Sequence, residues 1–160
     1  MPRLEDLDAE SRQFILNYQC SVGGDVPCVP LGKPLARARV ALITSAGIHR
    51  RSDRPFDLSL PGGDPTYRVI PRDVAPAELT LSIISANWDR TGFALDVNVV
   101  FPFERLRELA AEGIVGEVAE EHYAFMGSIF DIEPVVRQSA PAVARRLRAA
   151  EVDAVVLVPV

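Results

Sequence analysis

The chain has 160 residues, of which 48% are hydrophobic and 24% are charged, a composition typical of a single globular domain with its own core. The net charge of −5 argues against a general nucleic-acid binder, and no apolar run approaches the roughly 20 residues that a membrane span needs. Acidic residues at the very start, Glu5 and Asp6, exclude a signal peptide, so we expect a cytoplasmic protein.

The amino-terminal part is predicted to be a helix followed by a linker. Residues 4–18 carry apolar side chains at helical spacing and acidic side chains in the first turn. Glycine and proline then punctuate residues 21–34, which is typical of a loop. We therefore divide the chain into an amino-terminal helix and Gly/Pro-rich linker, residues 1–37, and an α/β domain, residues 38–160.

The first strand is predicted at residues 39–44, and a tight turn follows it. Thr44, Ser45 and Gly47 are residue types that let a ligand approach the backbone closely, so Thr44 and Ser45 are candidate ligands of a substrate oxygen. A turn that binds nothing is the alternative. The turn is not a P-loop, because no Gly-Lys-Ser/Thr follows it.

The middle of the chain contains a long polar loop, two further strands and a polar pair. Residues 48–65 form the loop, and residues 67–70 and 79–84 are the strands. Asp96 and Asn98 face the same way if that segment is extended. They indicate either a ligand site or a buried hydrogen-bond anchor.

The last third of the chain alternates helix and strand. A helix is predicted at residues 103–112, and another within residues 134–150, where Ser139 either caps a shorter helix or Pro141 kinks a longer one. Residues 152–160 are predicted to form a buried parallel strand, because they are almost all apolar and rich in β-branched side chains. The order of elements predicts an α/β fold: a single three-layer domain with a mostly parallel central sheet.

The charged and sulfur-containing residues leave several interpretations open. Between Lys33 and Arg72 there are eight basic residues and three acidic ones, which fits a solvated loop or a small-anion site, with Arg50 or Arg51 binding a carboxylate. Cys20 and Cys28 have neither redox nor metal-ligand spacing, and free thiols or a redox partner are both open. With only His49 and His122, no metal or cofactor site is predicted.

An ordered series of motifs resembles the selenoprotein subunits of glycine/sarcosine/betaine reductase and D-proline reductase. The chain is most similar to short, stand-alone members described as selenoprotein B-like or D-proline reductase-like, over about residues 38–160. Where relatives often carry a histidine, in the segment matching residues 81–85, this chain has isoleucines, so substrate handling could differ. The motifs are VALITSAGIH at 40–49, NVVFPFERLREL at 98–109, EGIVG at 112–116, MG at 126–127 and the close at 144–160 with VDAVVL.

The resemblance implies a reactive residue directly after Val160. In that family, selenocysteine, or cysteine in some relatives, follows the matching strand, and more cysteine and another helix come next. Selenocysteine is encoded by UGA, which is ordinarily read as a stop. We therefore expect that Val160 precedes a misread UGA, that the carboxyl-terminal part of the domain is missing, and that residues 1–160 alone are inactive.

The resemblance also implies the reaction. A selenolate or thiolate attacks the carbon α to a carboxylate, the C–N bond is cleaved reductively, and a thiol resolves the product on the chalcogen. In this chain we expect supporting roles: substrate binding by Thr44, Ser45, Arg50, Arg51, Asp96 and Asn98, and proton transfer by His49. The expected partners are a small carboxylate-bearing substrate, reductase-complex subunits, a thiol reductant and a second copy of the chain, and relatives commonly have a pyruvoyl-bearing partner.

Two alternatives to a reductase remain. In the first, the chain is a non-catalytic scaffold or partner-binding subunit of a reductase complex, and it binds its partner through the open edge of its sheet. Otherwise it is a small-anion-binding α/β enzyme of another class, which would need Cys20 or Cys28 as its nucleophile.

Overall fold

The computed structural model describes residues 3–17, 29–83 and 90–160 of a chain that forms two compact units, Met1–Pro30 and Leu31–Val160. In the first unit a 3₁₀ turn, Leu4–Asp6, precedes helix α1, Ala9–Asn17. The predicted helix is therefore broken. The Asp8 carboxylate accepts the Ser11 backbone N–H at 2.9 Å, which begins α1 after Asp8. The proposed boundary between residues 37 and 38 stays a prediction.

The second unit is built on strand β1, Arg39–Thr44, which has parallel neighbours on both sides. Strand β7, Ala154–Val158, runs along one side of β1. The other side is shared by β5, Glu117–Val118, which pairs with the start of β1, and β6, Glu121–Phe125, which pairs with its end. Strand β3, Tyr67–Pro71, is antiparallel to β6. The predicted α/β fold with a mostly parallel sheet is confirmed.

A separate antiparallel ribbon follows β1 directly. It consists of β2, Ile48–Arg50, and β4, Leu79–Leu81. The prediction of a loop over 48–65 was therefore wrong at its start. The strand predicted at 79–84 ends earlier, and position 84 lies outside the described residues.

The helices of this unit are α2, Thr91–Leu95, α3, Phe103–Ala111, and α4, Ala140–Ala149. Helix α3 buries Phe103 and Leu106 and is followed by Gly113 at φ 73°, as predicted. A π-helical turn, Val135–Ser139, comes directly before helix α4, and Pro141 lies in the first turn of that helix. Helical backbone continues from the π-helical turn through Ser139 and Ala140 into α4, so Ser139 does not cap a shorter helix, and its hydroxyl instead donates to the Pro65 carbonyl at 2.6 Å.

The core lies between β1 and the residues around α3. Val40 and Leu42 of β1 are almost fully buried, and they belong to one cluster with Phe101, Phe103 and Leu106. The rings of Phe101 and Phe103 stack with centroids 5.3 Å apart. This cluster fixes β1, and therefore fixes the turn that follows Thr44.

The final strand is parallel, as predicted, but it is not buried. Val155, Val156 and Leu157 are 36%, 45% and 69% exposed. The physical reason is that β7 pairs with β1 alone, so one side of the strand has no neighbour among the described strands. Within the described ranges, no helix is long and apolar enough to cross a membrane.

Candidate functional site

Three parallel strands end at the same edge of the sheet. Thr44 ends β1, Phe125 ends β6 and Val158 ends β7. In open α/β sheets, ligands bind beyond the carboxyl ends of the strands. The segments that continue from these three residues are therefore the candidate site.

Ser45 holds Val160 beside the end of β1. The Val160 backbone N–H donates to Ser45 Oγ at 3.0 Å, and Ser45 Oγ lies 3.4 Å from the Val160 carbonyl oxygen. The Ser45 backbone N–H also donates to the Val158 carbonyl at 3.2 Å. Gly127 leaves the space for this arrangement, because a β-carbon there would lie 3.0 Å from the Ser45 carbonyl oxygen and 3.5 Å from that of Val160. Three segments that are distant in sequence thus meet at Val160.

Thr44 is committed to the fold. Its side chain is buried, its hydroxyl donates to the Val100 carbonyl at 2.8 Å, and the same oxygen accepts the Ala46 backbone N–H at 3.2 Å. The structure therefore separates the two predicted hydroxyls: Thr44 anchors the turn, and Ser45 lies at the sheet edge.

A cavity of about 300 Å³ opens at this edge. Among the described residues that line it, none carries a charged side chain, so the cavity suits an apolar group or the apolar part of a ligand. The lining residues are Ile43, Thr44, Ser45, Phe125, Met126, Ile129, Val135, Leu157, Val158 and Pro159.

His49 lies close behind this turn, on β2, and bonds to a serine that the sequence did not single out. Its Nε2 is 2.9 Å from Ser82 Oγ, and its Nδ1 is 2.8 Å from the Arg50 carbonyl oxygen. His49 and Ser82 are 3% and 8% exposed. The pair forms because β2 and β4 are antiparallel neighbours, and the sequence signal for it was a serine within the apolar strand predicted at residues 79–84.

The predicted carboxylate ligands Arg50 and Arg51 lie in different surroundings. Arg50 is paired with Asp53, with Nη2 2.8 Å from Oδ1. Burial raises the pKa of Asp53, but the hydrogen bonds and charge of Arg50 outweigh it and hold that pKa below its usual range. Arg51 is exposed, and its Nε donates to the Ala77 carbonyl at 3.0 Å.

The basic stretch around Arg50 is organised with acids between the bases. A cavity of about 640 Å³ is lined by three arginines and three aspartates, among other residues. The buried Asp64 accepts the backbone N–H groups of Asp57 and Thr66, and it also pairs with Arg68 at 3.6 Å. Because these acidic and basic side chains pair with one another, they favour a loop with little net charge. The charged lining is Arg50, Asp53, Arg54, Asp57, Asp64 and Arg68.

Asp96 and Asn98 form a capping network at the start of α3. Asn98 lies in a 3₁₀ turn, Val97–Val99, so the extended geometry considered for this pair does not occur. Its Nδ2 donates to Asp96 Oδ1 and to Glu104 Oε2, both at 2.8 Å, and its Oδ1 accepts the Glu104 backbone N–H at 3.1 Å. Of the two interpretations, this geometry favours a hydrogen-bond anchor. Among the described residues, none of the hydrogen bonds of this network reaches Ser45 or His49.

His122 is fully buried in β6 and serves the sheet. Its Nδ1 accepts the Leu42 backbone N–H at 3.1 Å, and its Nε2 has no hydrogen-bond partner among the described residues. Burial, and then the charges of Arg107 and Arg72, lower the pKa of His122 to about 4. It is neutral at physiological pH.

The part of the chain that the structure describes contains no group of three His, Cys, Asp or Glu side chains that could hold a metal ion. Cys20 and Cys28 lie outside the described residues, so neither can be placed relative to the sheet edge.

The family described as glycine/sarcosine/betaine reductase selenoprotein B matches residues 7–160. The chain belongs to this family. The resemblance found in the sequence is thereby confirmed for nearly the whole chain. No solved structure matches this family member.

Three curated relatives of this selenoprotein B family member are subunits of reductases. It is 35% identical to D-proline reductase subunit gamma of Acetoanaerobium sticklandii over 80% of the chain and 51% of that protein. It is 30% identical to the sarcosine reductase complex component B subunit beta of Peptoclostridium acidaminophilum over 72% of the chain. It is 32% identical to the glycine reductase complex component B subunit gamma of Symbiobacterium thermophilum over 82%. The chain spans about half the length of the first relative, and its matches cover 27% and 30% of the other two.

Proposed function

We propose that this protein is a catalytic subunit of a glycine/sarcosine/betaine- or D-proline-type reductase that cleaves the C–N bond of a small amino-acid-like substrate. The observation that carries the proposal is the contact of Ser45 with Val160 at the carboxyl edge of the sheet. The nucleophile, a selenocysteine or cysteine, is placed in the residue that follows Val160. Such a residue would extend from an edge where α/β proteins bind ligands, next to the apolar cavity.

The proposed chemistry uses a dithiol as reductant. The anionic chalcogen attacks the carbon that bears the amine, a chalcogen–carbon bond forms, and the amine leaves with its electron pair and takes up a proton. A thiolate then attacks the chalcogen, the carbon takes the electron pair and a proton, and a mixed chalcogen–sulfur bond remains. The second thiol displaces the chalcogen. In sum, an alkylammonium and a dithiol give an alkane carbon, ammonium and a disulfide.

In this proposal the residues of the chain support the nucleophile. Ser45 holds the backbone of Val160 and binds a substrate oxygen, while His49 supplies the proton to the leaving amine. Arg51 is the better candidate for the substrate carboxylate, because Arg50 is occupied by Asp53. Thr44, Asp96 and Asn98 act indirectly, through the turn and through helix α3. The partners are other subunits of a reductase complex and a thiol reductant in the cytoplasm.

The test begins with the codon that follows Val160 in the source DNA. The reading frame is then expressed through that codon and onward, with cysteine in one protein and serine in a matched control. Dithiol-dependent release of ammonia or amine from glycine, sarcosine or betaine, or dithiol-dependent ring opening of D-proline to a linear amino acid, by the cysteine form and not by the serine form, supports the proposal. A stop codon other than UGA, or equal rates for the two forms, contradicts it.

A scaffold function is the second candidate, and one observation favours it. The outer side of β7 exposes Val155, Val156 and Leu157, and no residue from Ala154 to Val160 is charged. Natural edge strands usually carry charges that prevent pairing with other chains. A protein with this function would bind a reductase subunit through β7 and would release no amine in the assay above.

A further inference from the structure

The two histidines differ in what a proton would do to their hydrogen bonds. His122 Nδ1 accepts a backbone N–H from Leu42, so a proton on Nδ1 would break that bond. His122 therefore cannot take up and release protons without disturbing the sheet.

His49 can do so without losing either bond. Its Nδ1 faces the Arg50 carbonyl oxygen, which can only accept, so Nδ1 carries the hydrogen in both protonation states. Its Nε2 faces the Ser82 hydroxyl, which can either donate or accept. When the ring is neutral, Ser82 donates to the bare Nε2, and when the ring is charged, Nε2–H donates to Ser82 Oγ.

The surroundings leave Ser82 as the one described side chain that bonds to Nε2. The His49 ring is 3% exposed and packs edge-on against Phe56, with ring centroids 6.1 Å apart. Asp53 lies close enough for its charge to interact with His49, but the Asp53 oxygens are bound by Arg50. Among the described side chains, Ser82 is therefore the one that holds Nε2 in place.

Ser82 is also tied to the turn at the candidate site. Its backbone N–H donates to the Gly47 carbonyl at 2.9 Å, and Gly47 N–H donates to the Phe125 carbonyl at 2.9 Å. Met126 lines the apolar cavity, and its Cγ lies 3.9 Å from the position that a β-carbon on Gly47 would take. The pair thus lies one layer behind the cavity wall.

We propose that Ser82 is a positioning residue for His49: it fixes the imidazole with Nε2 as the proton-exchanging atom and connects that atom to the sheet-edge site. The inference rests on the proposed function, in which His49 protonates the leaving amine. In that step the Nε2 proton leaves towards the amine, the histidine becomes neutral, and the Ser82 hydroxyl then donates to the bare Nε2 and holds the ring in place. Arg50 contributes through its carbonyl, which sets the tautomer.

The test compares Ser82→Ala with Ser82→Thr, which keeps the hydroxyl. The first readout is the ¹⁵N NMR spectrum of the two imidazoles, recorded at a pH where both rings are neutral, with His49→Gln used for assignment. We expect a bare, hydrogen-bonded Nε2 for His49 in the wild type, loss of that hydrogen-bond shift in Ser82→Ala, and its return in Ser82→Thr. A proton on Nε2 in the neutral wild-type ring, or an unchanged Nε2 signal in Ser82→Ala, overturns the proposal. An unchanged His122 signal shows that the sheet is intact.

The second readout is the rate of amine release by the cysteine-extended protein. We expect kcat to fall roughly 10- to 100-fold in Ser82→Ala with little change in KM, and to recover in Ser82→Thr, as for loss of an aligned proton donor. An equal loss in both variants indicates a merely structural serine and overturns the proposal. If the wild type itself neither releases amine nor opens the ring of D-proline, the proposed function has failed, and the NMR result alone decides whether Ser82 positions His49.

Discussion

A β-carbon added at Gly47 would lie 2.1 Å from the carbonyl oxygen of Ser82. Gly47 has φ +68°, and its own carbonyl accepts the Ser82 backbone N–H. There is therefore no room for a side chain at Gly47, where the chain passes from β1 into β2. This close approach keeps β4, and with it Ser82, against the turn.

We predict that Gly47→Ala destabilises the protein by about 3 kcal/mol or more, because left-handed backbone strain of roughly 1–2 kcal/mol adds to a backbone clash. Gly113→Ala is the matched control, since Gly113 has φ +73° with nothing within 4 Å of its missing β-carbon. The control should lose only about 1 kcal/mol in urea unfolding. Similar losses of stability in the two variants would mean that the backbone around Gly47 shifts at little cost to make room for a side chain.

A second prediction concerns acid. The pKa of His122 is about 4 in the folded protein, whereas an unfolded histidine has its pKa near 6.5, so the unfolded state binds the proton first. His122 therefore stabilises the fold fully above about pH 6.5, and this stability is lost as the pH falls towards 4. Between pH 7 and pH 4.5 we expect a loss of roughly 2–3 kcal/mol in the free energy of unfolding.

His122→Asn tests this, because an asparagine oxygen can accept the Leu42 N–H in place of Nδ1 without titrating. We expect a lower stability at pH 7 and a much weaker dependence on pH down to 4.5. Carboxylates with lowered pKa values, such as Asp64 and Glu121, lose their contribution only at lower pH. An unaltered slope in the variant would assign the acid sensitivity to another group.

The capping network of α3 gives a third prediction. Asn98→Ala removes three hydrogen bonds around the helix start, so we expect a loss of about 1–2 kcal/mol in the free energy of unfolding. Val99→Ala, in the same turn and 63% exposed, should stay within about 0.5 kcal/mol of the wild type. If Asn98→Ala instead leaves stability intact and raises KM in the extended protein, Asn98 contacts the substrate.

The exposed side of β7 gives a fourth. Leu157 is 69% exposed, so Leu157→Lys should change the free energy of unfolding by less than about 0.5 kcal/mol. Leu42 lies on the neighbouring strand and is 1% exposed, so Leu42→Ala should lower the free energy of unfolding by about 2–5 kcal/mol. Sedimentation velocity on the same samples reports association through the strand edge. A large cost for Leu157→Lys together with a loss of mass would show that β7 is covered in solution.

The sequence predicted the strands with continuous apolar, β-branched runs, because that pattern has few alternatives. It placed β1 at residues 39–44, where the structure has it, and it found the strand after Asp153. It could not tell that β7 is exposed, since composition reports that a strand forms and not how many neighbours it acquires. The two-residue spacing of Asp96 and Asn98 likewise says nothing of whether their segment is extended or turned.

The candidate site was only partly predictable, for a different reason. Thr44 and Ser45 follow a recognisable strand, so their place at the sheet edge could be inferred. The partner of His49 lies 33 residues away and is reached only through the β2–β4 pairing, and β2 is a three-residue strand inside what reads as a loop. Pairings of this kind depend on tertiary packing, which local sequence patterns do not encode.

At the break between β5 and β6, the His122 side chain takes the place of main chain as the hydrogen-bond acceptor for β1. β5 pairs with Arg39 and Val40, β6 with Ile43 and Thr44, and at Leu42 an imidazole nitrogen takes the place of a peptide carbonyl. The length of that interruption and the residue at position 122 are therefore expected to change together in evolution. In a homologue whose two strands continue without a break, a main-chain carbonyl can accept the N–H at position 42. We expect such a homologue not to need a histidine at position 122.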